Sequence, residues 1–154
     1  TGDGSNSTDT GGISQSKQDE ISKEIATAQR TLNSDSKADA KNKAKMTLLK
    51  FTLAYQVSMA LQGGSGGRTI SDQDVDNILQ SLAMPDTFFS TATKESTTAS
   101  LNTLTEFLES IDVEKLAEEF AKNHSIYPTA QDDTEYGFKH GFQKAIELIK
   151  QQER

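Results

Sequence analysis

The chain has no cysteine and no tryptophan, two prolines, two histidines and only a few aromatic residues. The absence of cysteine rules out disulfides, thiolate zinc sites and cysteine nucleophiles, although it assigns no redox compartment. No apolar run approaches the roughly 18–20 residues that span a bilayer, so no membrane span is expected. The polar, acidic start from Thr1 does not read as a signal peptide. Basic charge is also short: the net charge is −7 over 154 residues. General binding to a phosphate backbone needs lysine and arginine in excess on one face, so it is not expected. Apolar residues are scarce too, at 33%. Counting the glycines brings that to about 39%, against the ~45–50% usual for globular chains on a similar count. Such a shortfall has two common explanations, a disordered stretch and an elongated fold that completes its burial against partners, and both are expected here.

What apolar residue there is falls mostly on helical spacings. Leu49, Leu53, Val57 and Leu61 recur every four residues, and Met46, Phe51, Tyr55, Met59 and Ala60 widen the stripe. Repeats of three and four put side chains on one helical face, and an arc this wide predicts cover on more than one side. The glycines from Gly63 to Gly67 end that helix. Ser71 is placed to cap the next one, with Asp72 and Asp74 at the positive end of its dipole and Val75, Ile78, Leu79 and Leu82 as its apolar stripe. Met46–Leu82 is therefore expected to form a central helical hairpin.

Around it, residues 1–16 read as a flexible polar arm that cannot offset its ordering entropy alone. Residues 17–33 read as an amphipathic docking helix with a narrow seam of Ile21, Ile25, Ala28 and Leu32. That seam is too thin to stand alone and must dock on the hairpin or on a neighbouring subunit. Residues 42–154 make up the helical domain, approached by a polar joint, Asn33 to Lys45. Pro85 stops the second hairpin arm. Leu101, Leu104, Leu108 and Ile111 form a further stripe, and Asp112 caps a short helix with Val113, Leu116 and Phe120 inward. Asn123 to Asp133 is read as a loop that includes His124. A last helix, Thr134 to Gln151, turns Phe138, Phe142, Ala145, Ile146 and Ile149 to the core. Its Gly137 and Gly141 each cost about 1 kcal/mol relative to alanine, so they predict close approach of another backbone. The fold class expected is all-α, a bundle of five or six helices with no strands.

Charge is segregated. Five lysines (Lys37, Lys41, Lys43, Lys45 and Lys50) stand against Asp39 over residues 37–50. Six carboxylates (Glu106, Glu109, Asp112, Glu114, Glu118 and Glu119) stand against Lys115 over residues 106–119. The basic stretch reads first as a solvated helix start; the sharper alternative is a docking face for an acidic partner, for which the acidic stretch is a candidate within a subunit or between subunits.

The motifs that would carry chemistry fail on spacing. Gly63–Thr69 lacks the lysine and the preceding strand of a phosphate loop. Asp72, Asp74 and Asp76 alternate as in a calcium loop, but Asn77 and Ala83 occupy the positions where that loop needs glycine and glutamate. His124 and His140 lie far apart and in no metal-binding pattern. No serine has the context of a nucleophile elbow. No catalytic, metal or cofactor residues are assigned.

Leu53-Ala54-Tyr55, Gly66-Gly67-Arg68 and Ile70-Ser71-Asp72-Gln73-Asp74-Val75 resemble segments of tailed-bacteriophage virion proteins, particularly internal, tail-associated and ejection proteins. The likeness covers about 35 residues. It implies a non-enzymatic structural subunit, located in the virion and in the host cytoplasm during assembly, acting through self-association or contacts with other virion proteins. The candidate partner contacts are Ile21, Ile25 and Leu32 on the docking helix, Lys41, Lys43 and Lys45 on the basic stretch, and Arg68, Phe88 and Phe89 in the connecting segments. The alternative reading is a small helical adaptor that recognises one partner protein.

Overall fold

The structure, a computed structural model, describes residues 12–63, 69–83, 104–125 and 128–152. Its elements in order are α1 (Gln15–Leu32), α2 (Ala38–Gly63), α3 (Asp72–Ala83), α4 (Leu104–Glu109), α5 (Val113–His124), a 3-10 turn (Pro128–Ala130) and α6 (Gln131–Gln152). No strand occurs among the described residues. The fold is an all-α bundle.

α2 organises it. Leu48, Leu49, Leu53, Ala54, Val57 and Leu61 are all fully or almost fully buried. Consecutive buried positions cannot share one helical face, so α2 is covered on several sides, as its wide apolar arc predicts. Its main neighbours are α6 and α1, with a smaller contact to α3. The expected hairpin of α2 and α3 is present, but the larger partner is α6, which arrives from the far end of the sequence.

The α2–α6 contact rests on the two glycines. A Cβ placed on Gly137 would lie 2.7 Å from the Val57 Cα and 2.9 Å from the Gln56 carbonyl oxygen. One on Gly141 would lie 3.2 Å from the Leu53 Cα and 3.0 Å from the Gln56 Cβ. Moving forward along α6 means moving backward along α2, so the helices are antiparallel. With no side chain at these two steps the backbones close up, and Phe138, Phe142, Ala145 and Ile149 are buried alongside.

Sequence-local chemistry sets the ends. The Ser14 hydroxyl accepts from the Lys17 N–H, and the Asn33 N–H closes α1 on the Gln29 carbonyl. In α3 the Ser71 hydroxyl accepts from the Asp74 N–H while the Asp74 carboxylate accepts from the Ser71 N–H, a reciprocal capping box. Asp112 caps α5 through the Lys115 N–H.

Several expected boundaries and faces move. α1 begins at Gln15, so Gly12 to Ser16 belong to the folded body; residues 1–11 of the expected arm lie outside the described residues. α2 begins at Ala38, because its Ala- and Lys-rich first turns favour helix although they bring little apolar surface. α6 begins at Gln131, and His124 is the last residue of α5 instead of part of a loop. In α5 the residues most deeply buried are Ala117 and Ala121, with Val113, Leu116 and Phe120 half-buried on either side. Small residues sit where the helices come closest, and the large ones fill the margins.

Of the two docking sites expected for the thin seam of α1, the hairpin or a neighbouring subunit, the structure shows the hairpin. α1 docks on α2 of its own chain, with Ile21 and Leu32 fully covered and Ile25 packed against the same core. Met59 and Tyr136 are the only large apolar side chains left exposed among the described residues. Among the described residues, the helices around α2 each bury one face and leave the rest polar.

Two defects remain inside among the described residues. The Thr52 hydroxyl is buried on α2 without a hydrogen-bond partner, as is that of Thr134. A buried unpaired hydroxyl costs about 1–3 kcal/mol. Thr52→Val keeps the shape and removes the polar atom, so it is expected to raise stability by about 1 kcal/mol in urea unfolding; a loss would show that the hydroxyl is satisfied.

Candidate partner-binding surface

The densest polar cluster lies where α1, α2 and α3 meet. The Ser14 N–H donates to Asp72 Oδ1 at 2.8 Å and its hydroxyl donates to Asp72 Oδ2 at 2.7 Å. The same hydroxyl accepts from Lys17, so one serine caps α1 and ties it to the first turn of α3. One turn further on, the Lys17 ammonium donates to Asp76 at 2.8 Å and to Glu20 at 3.3 Å. The Ile13 N–H reaches Gln62 near the end of α2. The alternating aspartates of α3 thus have separate tasks: Asp72 holds Ser14, Asp74 caps its own helix, and Asp76 holds Lys17. No group of three or more His, Cys, Asp or Glu side chains able to hold a metal ion is found among the described residues.

The Lys17 ammonium is held above its ordinary value of 10.5, first by its hydrogen bond to Asp76; Glu20 adds to this and partial burial opposes it. A base whose folded value is raised stabilises the fold below its unfolded pKa and loses that contribution as pH climbs through the folded value. Lys17→Met is therefore expected to cost up to about 1 kcal/mol at neutral pH, since Asp76 is half-exposed. The gap from wild type should close as pH rises beyond 10.5 in paired urea titrations. A gap that stays constant with pH would assign the loss to packing of the lysine stem.

The other expected contact residues separate into groups. Ile21 and Leu32 are core residues, and Ile25 flanks them. Lys45 is buried, at 3% exposure, and so is no surface contact; Lys41 is half-buried and Lys43 exposed. Arg68, Phe88 and Phe89 lie outside the described residues. Of the acidic stretch, Glu109 pairs with Lys150 at 3.0 Å and Glu114 with Lys139 at 3.7 Å, so two of its carboxylates turn to α6 instead of the basic stretch.

The structure adds a surface that sequence reading missed. Tyr136 is 63% exposed, and its ring stacks on that of His140 with centroids 5.9 Å apart and planes within 7°. Met59, 38% exposed, lies on α2. The register set by Gly137 against Val57 brings Met59 level with the Tyr136 turn. At 100° per residue, both side chains leave the α2–α6 crossing on the same side. The signal was faint: Tyr136 lies next to Gly137 and off the apolar stripe of α6, and Met59 sits at the edge of the α2 stripe.

The class defined by these features is an all-α bundle that, among the described residues, leaves a small aromatic–thioether surface exposed beside its main helix crossing. Comparison with protein-family models, curated proteins and solved structures gives no match for the chain.

Proposed function

We propose that the chain is a non-enzymatic structural subunit of a bacteriophage particle, acting through helix-mediated contacts with other proteins of that particle. The observation that carries the interaction role is the exposed Tyr136–His140 stack beside Met59. Tyrosine and methionine are enriched at protein interfaces, where the aromatic ring brings rigid contact area and the flexible thioether adapts to the opposing surface. The particle setting rests on the resemblance of the α2–α3 region, Leu53 to Val75, to virion segments. Mass spectrometry of purified particles from the encoding phage is the test. The chain should be present at a fixed stoichiometry, and Tyr136→Ala should reduce its incorporation while leaving the fold intact. Absence from the particles would end the structural-subunit reading.

A second reading has its own support. A core that closes within one chain suits a small adaptor that folds alone and then recognises one partner. Under that reading the chain is recovered with a single non-virion protein, and Tyr136→Ala breaks that pair.

A further inference from the structure

The way α1 is attached distinguishes it from the other helices. Its apolar seam amounts to three buried residues (Ile21, Ala28 and Leu32) with Ile25 half-buried, over eighteen residues. Its far end is fixed by the polar latch of Ser14 to Asp72 and Lys17 to Asp76. It runs back along α2, since Ile13 meets Gln62 while Leu32 is followed by a joint of only five residues.

That joint, Asn33-Ser34-Asp35-Ser36-Lys37, contains neither glycine nor proline. Helical hydrogen bonding reaches into it from both sides: the Asn33 N–H donates to Gln29, and the Lys41 N–H donates to the Lys37 carbonyl. What holds the turn between is local, with Ser34 donating to the Thr31 carbonyl and the Ser36 N–H donating to the Ser34 hydroxyl. Serine and aspartate are only modestly poorer than alanine in a helix interior, far from the penalty of proline. The joint can therefore straighten into a single helix from Gln15 to Gly63 at small local cost. In that form α1 can no longer reach its own α2.

We infer that α1 exchanges between two copies of this chain, each copy laying its α1 on the other's α2 and latching its Ser14 and Lys17 to the other's Asp72 and Asp76. The occupant of the vacated groove is set by identity. A second copy's α1 carries the same seam and the same latch, so every contact of the closed form is remade, and exchange of an identical element is a low-cost route to a dimer. Because α1 and α2 pack antiparallel, two straightened rods lie side by side about a two-fold axis at their joints, which gives a closed dimer. Short joints favour this exchange and longer ones relieve it. The inference rests on the interaction-subunit reading for its biological use, but on none of its virion setting.

The chain has no native cysteine, so Gln15→Cys/Gln73→Cys places a unique pair of thiols on exposed positions flanking the latch without touching it. The protein is refolded at low and at high concentration, separated by size, and each fraction is treated with a short bis-maleimide before denaturing electrophoresis. The expected result is a dimer fraction that grows with refolding concentration and crosslinks between chains, beside a monomer that crosslinks within one chain. Inserting Gly-Gly-Ser-Gly after Ser34 should abolish the dimer and leave the monomer folded by circular dichroism. A chain that stays monomeric at every concentration, a dimer whose crosslinks form only within chains, or a dimer that survives the longer joint overturns the exchange. None of these results bears on presence in particles, which mass spectrometry tests separately.

Discussion

Gly137→Ala is expected to destabilise the protein by about 2 kcal/mol, although the same change at an open helical site stabilises by about 1 kcal/mol. The difference lies in what the methyl group would meet. The Val57 Cα at 2.7 Å and the Gln56 carbonyl oxygen at 2.9 Å are backbone atoms inside α2, and neither can rotate away. Room is made only by separating α2 from α6, which loosens the contact that buries Leu53, Val57 and Phe138. Overpacking of this kind costs about 1–3 kcal/mol and occasionally more. At this chain length 2 kcal/mol corresponds to a fall in Tm of roughly 4–8 °C. Gly141→Ala should cost less, because its contacts are looser: the Gln56 Cβ at 3.0 Å and the Leu53 Cα at 3.2 Å require the helices to give by only a few tenths of an ångström. Gln143→Ala, on an exposed position of the same helix, is the control and should stay within about 0.5 kcal/mol of wild type. Thermal unfolding by circular dichroism decides the matter. A Gly137→Ala variant at or above the wild-type Tm would mean that the helices do not cross this closely.

The same pair of glycines shows what the sequence carries and what it withholds. Two glycines four apart inside an otherwise good helix are costly unless something needs the space, so a close backbone approach was legible. Which backbone approaches was not, because residues 53–57 and 137–141 are linked by no local rule. The helices themselves were legible from periodicity, and their caps at Ser71 and Asp112 from residue type and position. The serine that caps α1 is hard to single out because Ser14 stands among polar, glycine-rich neighbours, and its second bond, to Asp72 across the bundle, follows from no local pattern. Reading α1 as short of a partner followed correctly from its thin seam, but composition cannot say whether the missing surface belongs to the same chain. Here it does: Leu32 and Ile21 are sealed on α2 and its surroundings. The partner surface was the least legible feature. Lys45 reads as a surface lysine by type and is buried, whereas Tyr136 stands exposed and makes its contact through a ring stack that no spacing rule announces.

Phe138→Ala is expected to cost about 3–5 kcal/mol, a large part of the ~5–15 kcal/mol that holds a domain together. The ring is 1% exposed and stands where α5 and α6 meet. Its centroid lies 4.8 Å from that of Phe120 and 6.3 Å from that of Phe142. Removing it leaves a cavity walled by the two remaining rings, and side chains anchored on separate helices cannot collapse into it. The aromatic pairing adds about 0.5–1.5 kcal/mol beyond the area buried. Phe138→Leu keeps most of the volume and should lose only about 1–2 kcal/mol, which separates filling from ring contact. Phe120→Ala, at a half-buried position, should also cost less than Phe138→Ala. Because the two rings touch, the double variant should lose less than the sum of the two single losses. Urea unfolding is the measurement, and the midpoint should fall while the slope is retained. If Phe138→Ala lost under 1 kcal/mol, α5 would be a surface appendage instead of a wall of the core.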